Sequence, residues 1–291
     1  MNPMESKAAG GARCPYLAAL VRRALAEDVG PGDCTTDSLV PAKAAARARI
    51  VARGEGVVCG AAVAREVFRQ VDPKVRCTVR IPDGAVAPAG GVLMELSGPA
   101  RGILTGERTA LNFLQRLGGI ATLTRRYVGL AAPHGVQILD TRKTTPGLRQ
   151  LEKFAVRCGG GTNHRIGLFD RVLIKDNHRA FWAAGAKRTL ADAVRAARAR
   201  HPRLVIEIEV ESEAELRDAL EAAPDWVLLD NMTPARLRRC VAIGRGRCKL
   251  EASGGITLAT VARIAATGVD AMSVGALTHS APALDLSLEF V

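Results

Sequence analysis

Aromatic residues are scarce in this sequence: they make up 3% of its 291 residues. The core must therefore be packed from Ala, Val, Leu and Ile, and there are few rings on which the bases of a single-stranded nucleic acid could stack. No uncharged apolar run reaches about 18 residues, the length that a membrane-spanning helix needs. We therefore expect neither a membrane protein nor a nucleic-acid-binding protein.

Cysteine occurs, but not in a metal-binding pattern. The seven cysteines are an odd number, and no two form a CxxC pair, which argues against a zinc site and against a disulfide framework. No signal-peptide hydrophobic region precedes them, so we expect reduced thiols and a cytoplasmic protein. Residues 1–14 are rich in Ala and Gly and are expected to be disordered.

The charge balance leaves one alternative open. The formal net charge is +12, which would suit a nucleic-acid partner, but the basic residues are spread over many predicted helices and are not interleaved with aromatics. Anionic small molecules explain the excess equally well. With 48% hydrophobic residues, the chain can bury a barrel-sized core and a smaller second one.

Residues 140–178 concentrate the candidate chemistry. Within them lie eight Lys or Arg and two His against four acids, with a Gly triplet at 159–161. Guanidinium forks match carboxylate and phosphate oxygens, and glycines let backbone N–H groups approach an anion. We do not expect so basic a segment to be buried. The alternative is a solvated helix face followed by a surface loop.

The first part of the chain predicts an α+β domain, residues 15–130. An amphipathic helix over 15–28 precedes strand-like pieces and one helix between 46 and 105. A long helix over 106–130 would place Arg108 in its first turn, where a cation opposes the helix dipole. Arg108 is therefore either functional or a plain surface residue. The tail at 280–291 is expected to pack on this domain.

Residues 131–279 predict an α/β barrel. Six short strands alternate with helices, and no GxGxxG follows the first strand, which favours a barrel over a doubly wound sheet. In such a barrel the carboxyl ends of the strands form the mouth, where active sites are built. Polar or glycine residues occupy these ends: Asp140 to Lys143, Lys175, Glu209, Asp230, Ser253 and Gly275.

Two features refine this mouth. Glu207 and Glu209 share one face of a strand because side chains alternate; we interpret Glu207 as an internal salt-bridge partner and place Glu209 nearer the mouth. Gly-rich turns at 253–255, expected to open a helix, and at 275–279 follow the last two strands. Their N–H groups predict a phosphate site.

Motifs along nearly the whole chain resemble those of the quinolinate phosphoribosyltransferases, also called carboxylating nicotinate-nucleotide pyrophosphorylases. The motifs are EDVGPGD, GERTALN, TRKTTPGLR, GGGTNHRIGLFD, KDNH, EIEVES, LLDNM, EASGGI and SVGALTHSAPALDLSL. The resemblance implies an incomplete, seven-stranded α/β barrel with a small open sandwich domain. It also implies an enzyme that joins quinolinate to phosphoribosyl pyrophosphate and releases pyrophosphate and CO2, in NAD biosynthesis.

The resemblance further implies the roles of individual residues and a homodimer or higher even-numbered oligomer, in which Arg108 reaches the partner's site. Glu209 and Asp230 would hold Mg²⁺ and the ribose hydroxyls and act with Lys143 and Lys175 in catalysis. Quinolinate would bind to Arg108, Thr141, Arg142, His164, Arg165 and Lys175. The phosphates would bind to Lys143, Ser253, Gly254, Gly255, Gly275 and His279. The alternative family is a phosphoribosyltransferase-like relative from molybdate-transport operons, which the Arg142, His164 and Arg165 cluster disfavours because it suits a dicarboxylate.

Overall fold

The structure, a computed structural model, describes residues 16–183 and 188–291. The stretch predicted to be disordered, residues 1–14, lies outside these ranges. None of the helices in the described part combines the length and apolar character needed to cross a membrane. The helices and strands are, in chain order, α1 (Leu17–Val29), α2 (Cys34–Leu39), β1 (Ala45–Ala52), β2 (Gly56–Val57), α3 (Ala61–Val71), β3 (Arg76–Val79), β4 (Val86–Ala87), β5 (Val92–Pro99), α4 (Ala100–Ala131), β6 (Gln137–Leu139), α5 (Arg149–Cys158), β7 (Val172–Ile174), α6 (Asp176–Ala183), α7 (Leu190–Arg200), β8 (Ile206–Val210), α8 (Glu213–Leu220), β9 (Trp226–Asp230), α9 (Pro234–Gly244), β10 (Lys249–Ser253), α10 (Val261–Ala265), β11 (Ala271–Ser273), α11 (Ala276–His279) and β12 (Leu286–Phe290).

The chain divides into two compact units. The first comprises the described residues up to Arg125 together with Thr145–Gly160 and Ser280–Val291, and the second comprises Arg126–Thr144 and Gly161–His279. The division differs from the predicted one at residues 145–160, which the sequence assigned to the barrel, and at residues 126–130, which it assigned to the first domain. For residues 145–160 the physical reason is an ion pair within the first unit, because Arg116 of α4 donates to the buried Glu152 carboxylate of α5 at 2.8 Å and 3.1 Å.

The first unit contains an antiparallel four-stranded sheet in the order β12-β1-β5-β3 and a small β2-β4 ladder. Strand β12 lies in the tail that was expected to join this domain, and Leu288 pairs there with Ile50 of β1. Helix α3 follows the predicted segment and buries Val63, Val67 and Phe68 on one face. The apolar spacing of the sequence therefore located both the sheet and this helix.

Helix α4 begins earlier than the sequence indicated. It starts at Ala100, directly after β5 ends at Pro99, and a proline before the first turn costs the helix no hydrogen bond. Gly106 was read as the start, but it lies inside the helix, where a Cβ would come 2.8 Å from the Phe68 ring. Arg108 is therefore not in the first turn, and the helix-dipole argument for its function was wrong.

Helix α5 occupies the middle of the basic stretch and corrects another expectation. Lys153 and Glu152 are completely buried, so the prediction that this segment would not be buried was wrong for α5. Gly159 ends the helix where a Cβ would collide with the Ala121 carbonyl and the Thr124 side chain. Its N–H caps α5 by donating to Ala155. Close packing on α4, and not the approach of an anion, accounts for the first glycine of the triplet.

The second unit is built on a parallel sheet of six strands in the order β6-β11-β10-β9-β8-β7. The resemblance implied seven strands. The structure has instead, beyond β6, an isolated parallel bridge between Leu139 and Thr162. The residues around Thr162 include Gly160 and Gly161, and glycines weaken a strand because they offer no side chain to pack. The result is an incomplete α/β barrel.

Alternation and helix caps explain the repeating units. All five residues of β8 are buried; Ile206, Ile208 and Val210 alternate with the two glutamates, as the sequence predicted. Outer helices begin at side-chain caps, such as the reciprocal bonds of 3.1 Å between Thr189 and Asp192 before α7. Such caps satisfy N–H groups that the first helical turn leaves unpaired.

Candidate active site

The carboxyl ends of the parallel strands bring polar side chains to one edge of the sheet. Asp230 ends β9 and pairs in register with Ser253, which ends β10. Lys175 follows β7 directly, and Asp140 follows β6. Because every strand pair in this sheet is parallel, these ends share an edge, as the sequence predicted.

Two acids lie close together at this edge. Burial raises the pKa of Glu209, and the negative charge of Asp230 raises it further, while Lys175 and Arg179 act in the opposite direction. Asn231 donates to the Asp230 carboxylate at 2.6 Å. Two carboxylates that interact in a half-buried site favour a bound cation, because it relieves their repulsion.

Two cations form a corresponding group. Arg165 is 9% exposed, and burial together with the charge of Arg142 lowers the pKa of its guanidinium. Its own hydrogen bond runs from Nη1 to the Arg171 carbonyl at a long 3.4 Å. The Arg165 fork is thus poorly satisfied by the protein, which is the state expected of an anion-binding group before its ligand arrives.

His164 lies in the barrel interior. Its Nε2 is 3.0 Å from Glu207 Oε2 and 3.4 Å from Glu251 Oε2, and its backbone N–H donates to Asp140 at 2.9 Å. Glu207 also lies 3.1 Å from Arg171 Nε. The prediction of an internal salt bridge for Glu207 is confirmed. The His164 imidazole was predicted to contact quinolinate. In the structure its Nε2 faces the carboxylates of Glu207 and Glu251.

His164, Glu207 and Glu251 also form a compact set of potential metal ligands, with their ligand atoms within 4.8 Å of one another. No second set of three such residues is found among the described residues. This set does not contain Glu209 or Asp230, the pair for which a Mg²⁺ role was predicted. Arg171 contacts the same Glu207 carboxylate, and its positive charge disfavours a metal ion there.

The Gly-rich turn after β10 differs in detail from the prediction. Gly254 and Gly255 both have positive φ, 94° and 60°, and a Cβ on Gly254 would collide with the Asn231 amide. The turn does not open a helix directly, since α10 begins only at Val261. The reason is a hydrogen-bonded turn in which Thr257 N–H donates to Thr260 Oγ1 at 2.9 Å.

The turn after β11 brings Lys143 to the last strand. A Cβ on Gly275 would lie 3.1 Å from both Lys143 Cδ and His279 Nε2. The buried Thr278 hydroxyl donates to the Lys143 carbonyl at 2.7 Å, and the Lys143 N–H donates to Thr141 Oγ1 at 3.0 Å. Within the described residues, no hydrogen bond from the N–H groups of Gly254, Gly255 or Gly275 is formed. These donors suit an anion.

Arg108 belongs to the first unit and is exposed on α4. In the described part of the chain it makes no hydrogen bond or ion pair. Lys175 is also exposed, and its N–H donates to His178 at 3.0 Å. The remaining predicted site residues all belong to the second unit.

Four polar residues of the site region were missed by the sequence reasoning. Arg179 donates to the Glu209 carbonyl at 2.8 Å and to Glu215 at 2.6 Å, and so fixes the end of β8. Glu251 could have been found from strand alternation, because it shares a face with Ser253. Arg171 carries no comparable signal, since its partner Glu207 comes from another strand, whereas Asn231 contacts its sequence neighbour Asp230.

Comparisons with known proteins agree with this architecture. The family models for the N-terminal and C-terminal domains of quinolinate phosphoribosyl transferase match residues 33–118 and 120–289. The probable carboxylating nicotinate-nucleotide pyrophosphorylase of Bacillus subtilis is 44% identical over 274 residues, 94% of this chain and 93% of the relative. The carboxylating nicotinate-nucleotide pyrophosphorylase of Mycobacterium leprae is 44% identical over 286 residues, 95% of this chain and 98% of the relative.

A solved structure gives the same result for the fold. The nicotinate-nucleotide pyrophosphorylase of Francisella tularensis superposes with a TM-score of 0.90 at 41% identity, over 97% of this chain and 99% of that one. Both domains and their order are thus shared with these proteins. The chain belongs to the quinolinate phosphoribosyltransferase family.

Proposed function

We propose that this chain transfers the phosphoribosyl group of phosphoribosyl pyrophosphate to quinolinate, giving nicotinate mononucleotide, pyrophosphate and CO2. One observation carries the proposal: the same unit holds a cationic pair, Arg142 and Arg165, and an acidic pair, Glu209 and Asp230. Like charges held together are costly without a ligand of opposite sign. A dianionic acceptor and a sugar that becomes cationic in the reaction supply both ligands.

The dicarboxylate has the shape that the arginines match. Each guanidinium can donate two parallel hydrogen bonds to one carboxylate. We assign Arg142 and Arg165 to the two carboxylates of quinolinate, with Thr141 and Lys175 beside them. His164, in the barrel interior, adds positive charge when its ring is protonated. A monocarboxylate would leave one of these cations unpaired.

The acids suit the sugar. As the bond from the anomeric carbon to pyrophosphate breaks, positive charge develops on the ribose and negative charge on the leaving group. Glu209 and Asp230 would stabilise the ribose side, and Lys143 and Lys175 the pyrophosphate side. Fixed charges placed where charge grows in the transition state lower the barrier. Loss of the carboxylate adjacent to the cationic ring nitrogen as CO2 then leaves a carbanion that this nitrogen stabilises, and protonation of that carbon completes the product.

Glu209 and Asp230 also fit the Mg²⁺ that the resemblance implies. Mg²⁺ favours one or two carboxylates together with phosphate oxygens and water. Burial and then the charge of Asp230 raise the pKa of Glu209, and a cation would relieve both effects. When bound, the ion would neutralise charge on the pyrophosphate. The 5-phosphate would accept hydrogen bonds from the unused N–H groups of Gly254, Gly255 and Gly275, with Ser253 and His279 alongside.

Quinolinate should be the productive acceptor, and nicotinate and nicotinamide should not. The reason is the number of cations provided for a second carboxylate, since an unpaired charge in a desolvated site is costly. The measurement is the formation of nicotinate mononucleotide and CO2 from each acceptor with phosphoribosyl pyrophosphate and Mg²⁺. Turnover of nicotinate at a rate comparable to quinolinate would contradict the proposal.

We also propose that the active form is a dimer in which Arg108 completes the site of the partner. The support is twofold: Arg108 is exposed and unpaired in the described chain, and Leu168 and Phe169, three and four residues beyond Arg165, are 74% and 76% exposed. Adjacent large apolar side chains in contact with water commonly mark an interface.

Mixing subunits tests this arrangement. An Arg108→Ala chain and an Arg142→Ala chain should each be impaired alone, whereas their heterodimer regains one intact site, because the barrel that keeps Arg142 receives Arg108 from the other chain. With random exchange, about a quarter of the parental activity should return, since half of the dimers are mixed and each holds one good site. Activity is measured before and after exchange, which is verified by mass.

The matched control is a mixture of Arg142→Ala and Arg165→Ala chains. Both residues act in their own barrel under this proposal, so no site is restored and activity should stay low. If the first mixture behaves like this control after complete exchange, Arg108 does not act across the dimer.

A further inference from the structure

Four charged side chains inside the barrel, His164, Arg171, Glu207 and Glu251, form what we call the interior cluster. Glu207 holds both cations, at 3.0 Å from His164 Nε2 and 3.1 Å from Arg171 Nε. Glu251 lies 3.4 Å from the same imidazole nitrogen. Two carboxylates and two potential cations can therefore balance one another with no other ion.

Few hydrogen bonds offset the cost of burying the Glu251 carboxylate. The residue has no exposed surface, and its carboxylate has no short hydrogen bond within the described residues. His164 Nε2 lies at a long 3.4 Å, and the Ser273 side chain is a further polar neighbour. Burying an ionised group at such a position is often less favourable than an apolar side chain of similar size. Glu251 also takes no part in the chemistry assigned to Glu209 and Asp230. Its presence calls for a role beyond stability.

The chain itself connects this cluster to the dicarboxylate site. His164 immediately precedes Arg165, and the Arg165 N–H points at the Nδ1 of the same ring at 2.8 Å. The His164 backbone is anchored to Asp140, whose carboxylate has no exposure. Movement of the imidazole or a change in its charge therefore acts on the backbone of Arg165, from which the guanidinium extends.

We propose that Glu251 is a positioning residue: with Glu207 it holds the His164 ring inside the barrel and so sets the direction and charge of the His164-Arg165 pair that receives the dicarboxylate. The inference rests on the proposed function of this site. It assigns Glu251 to substrate affinity, not to a step of the reaction.

The charges around the ring set the direction of its titration. Burial lowers the pKa of His164, but Glu207 and Glu251 outweigh it and raise the pKa to about 9. The Arg165 N–H directed at Nδ1 opposes a second proton on the ring, and the two carboxylates prevail. The cationic ring is therefore present below this pKa and lost as pH rises through it. The charged groups facing the ring are Glu207 from β8, Glu251 from β10, Arg171 before β7, Asp140 after β6 and the adjoining Arg165.

Glu251→Gln keeps the volume and removes one of the two carboxylates, so the His164 pKa should fall. The KM for quinolinate at saturating phosphoribosyl pyrophosphate should then rise by about threefold near about pH 8.5 and stay close to the parent's near about pH 6, because a fall of about one unit from a pKa of about 9 lowers the charged fraction about threefold at the higher pH and hardly at all at the lower one. The kcat should change less than the KM. Glu221→Gln, at an exposed position after α8, is the matched control and should follow the parent at both pH values.

A double-mutant cycle separates this role from a structural one. In a His164→Gln background, which has no titrating ring, Glu251→Gln should leave the KM for quinolinate unchanged at both pH values, because the coupling is carried by the imidazole. An equal increase in KM in both backgrounds, or a Glu251→Gln profile that superimposes on the parent's, overturns the inference. A parent protein that does not turn over quinolinate refutes the proposed function instead. If Glu251→Gln does not fold by thermal melting, Glu251→Asp replaces it in the same cycle, since it keeps the charge and withdraws the carboxylate by one methylene.

Discussion

Replacing Arg165 with alanine is expected to weaken the binding of quinolinate by about 10- to 100-fold, because a charge-assisted hydrogen bond contributes roughly 1.5 to 3 kcal/mol. Arg165 is the more buried arginine of the cationic pair, and its fork is poorly satisfied by the protein. The alanine substitution removes the Arg165 guanidinium and with it the charge repulsion between Arg165 and Arg142. Folding should therefore change little. A calorimetric titration with quinolinate, paired with a thermal melt, measures both quantities.

The matched control for this variant is Arg238→Ala. Arg238 is exposed on α9, and its removal lowers the net charge of the protein by the same amount. Its affinity for quinolinate should equal that of the parent. If Arg165→Ala binds quinolinate as well as Arg238→Ala does, Arg165 has no part in the dicarboxylate site, whatever its burial.

Replacing Glu209 with glutamine should lower kcat by about 100- to 1000-fold, because stabilisation of developing charge by a fixed group commonly contributes roughly 2.7 to 4 kcal/mol. The change removes the charge without changing the volume. Asp230→Asn should act in the same direction, since the two acids interact in the same half-buried place. The kinetic signature is a fall in kcat together with a higher Mg²⁺ concentration for half-maximal activity.

The exposed Glu221→Gln variant should retain both the kcat and the Mg²⁺ requirement of the parent. An unchanged Mg²⁺ requirement in Glu209→Gln and Asp230→Asn, with a reduced kcat, would remove the metal role and leave the ribose role. Parental kcat in both variants would remove both roles.

The site could be predicted from the sequence to the extent that it follows from strand periodicity. Each β-strand of the second unit ends with a polar residue or is followed by one, so the sequence predicted the shared edge with Lys175, Glu209, Asp230 and Ser253. Motifs such as TRKTTPGLR and GGGTNHRIGLFD added Arg142 and Arg165 through the family resemblance. In the structure the members of each pair lie close enough to interact: after burial, the charge of Arg142 lowers the pKa of Arg165, and the charge of Asp230 raises that of Glu209.

Local patterns could not give the partners of buried charges. The sequence placed His164 with the arginines, whereas its ring pairs with Glu207 and Glu251, which are far from it along the chain and come from two separate strands. Lys153 belongs to the basic segment that was not expected to be buried, and it is buried in α5. Both outcomes depend on contacts across the fold that no local window contains.

The sequence by itself determined the order of elements, the parallel βα repeats and the identity of the strand-end residues, because periods of two and of 3.6 residues and helix caps are local properties of the chain. Only the tertiary structure decided that α4 starts at Ala100, that residues 145–160 belong with the first unit, and that Glu251 faces His164. These features are decided by close packing, such as that of Gly106 on Phe68, and by charge pairing between distant strands. Both depend on where the curvature of a sheet and the path of a helix bring residues together in space, which no stretch of sequence specifies alone.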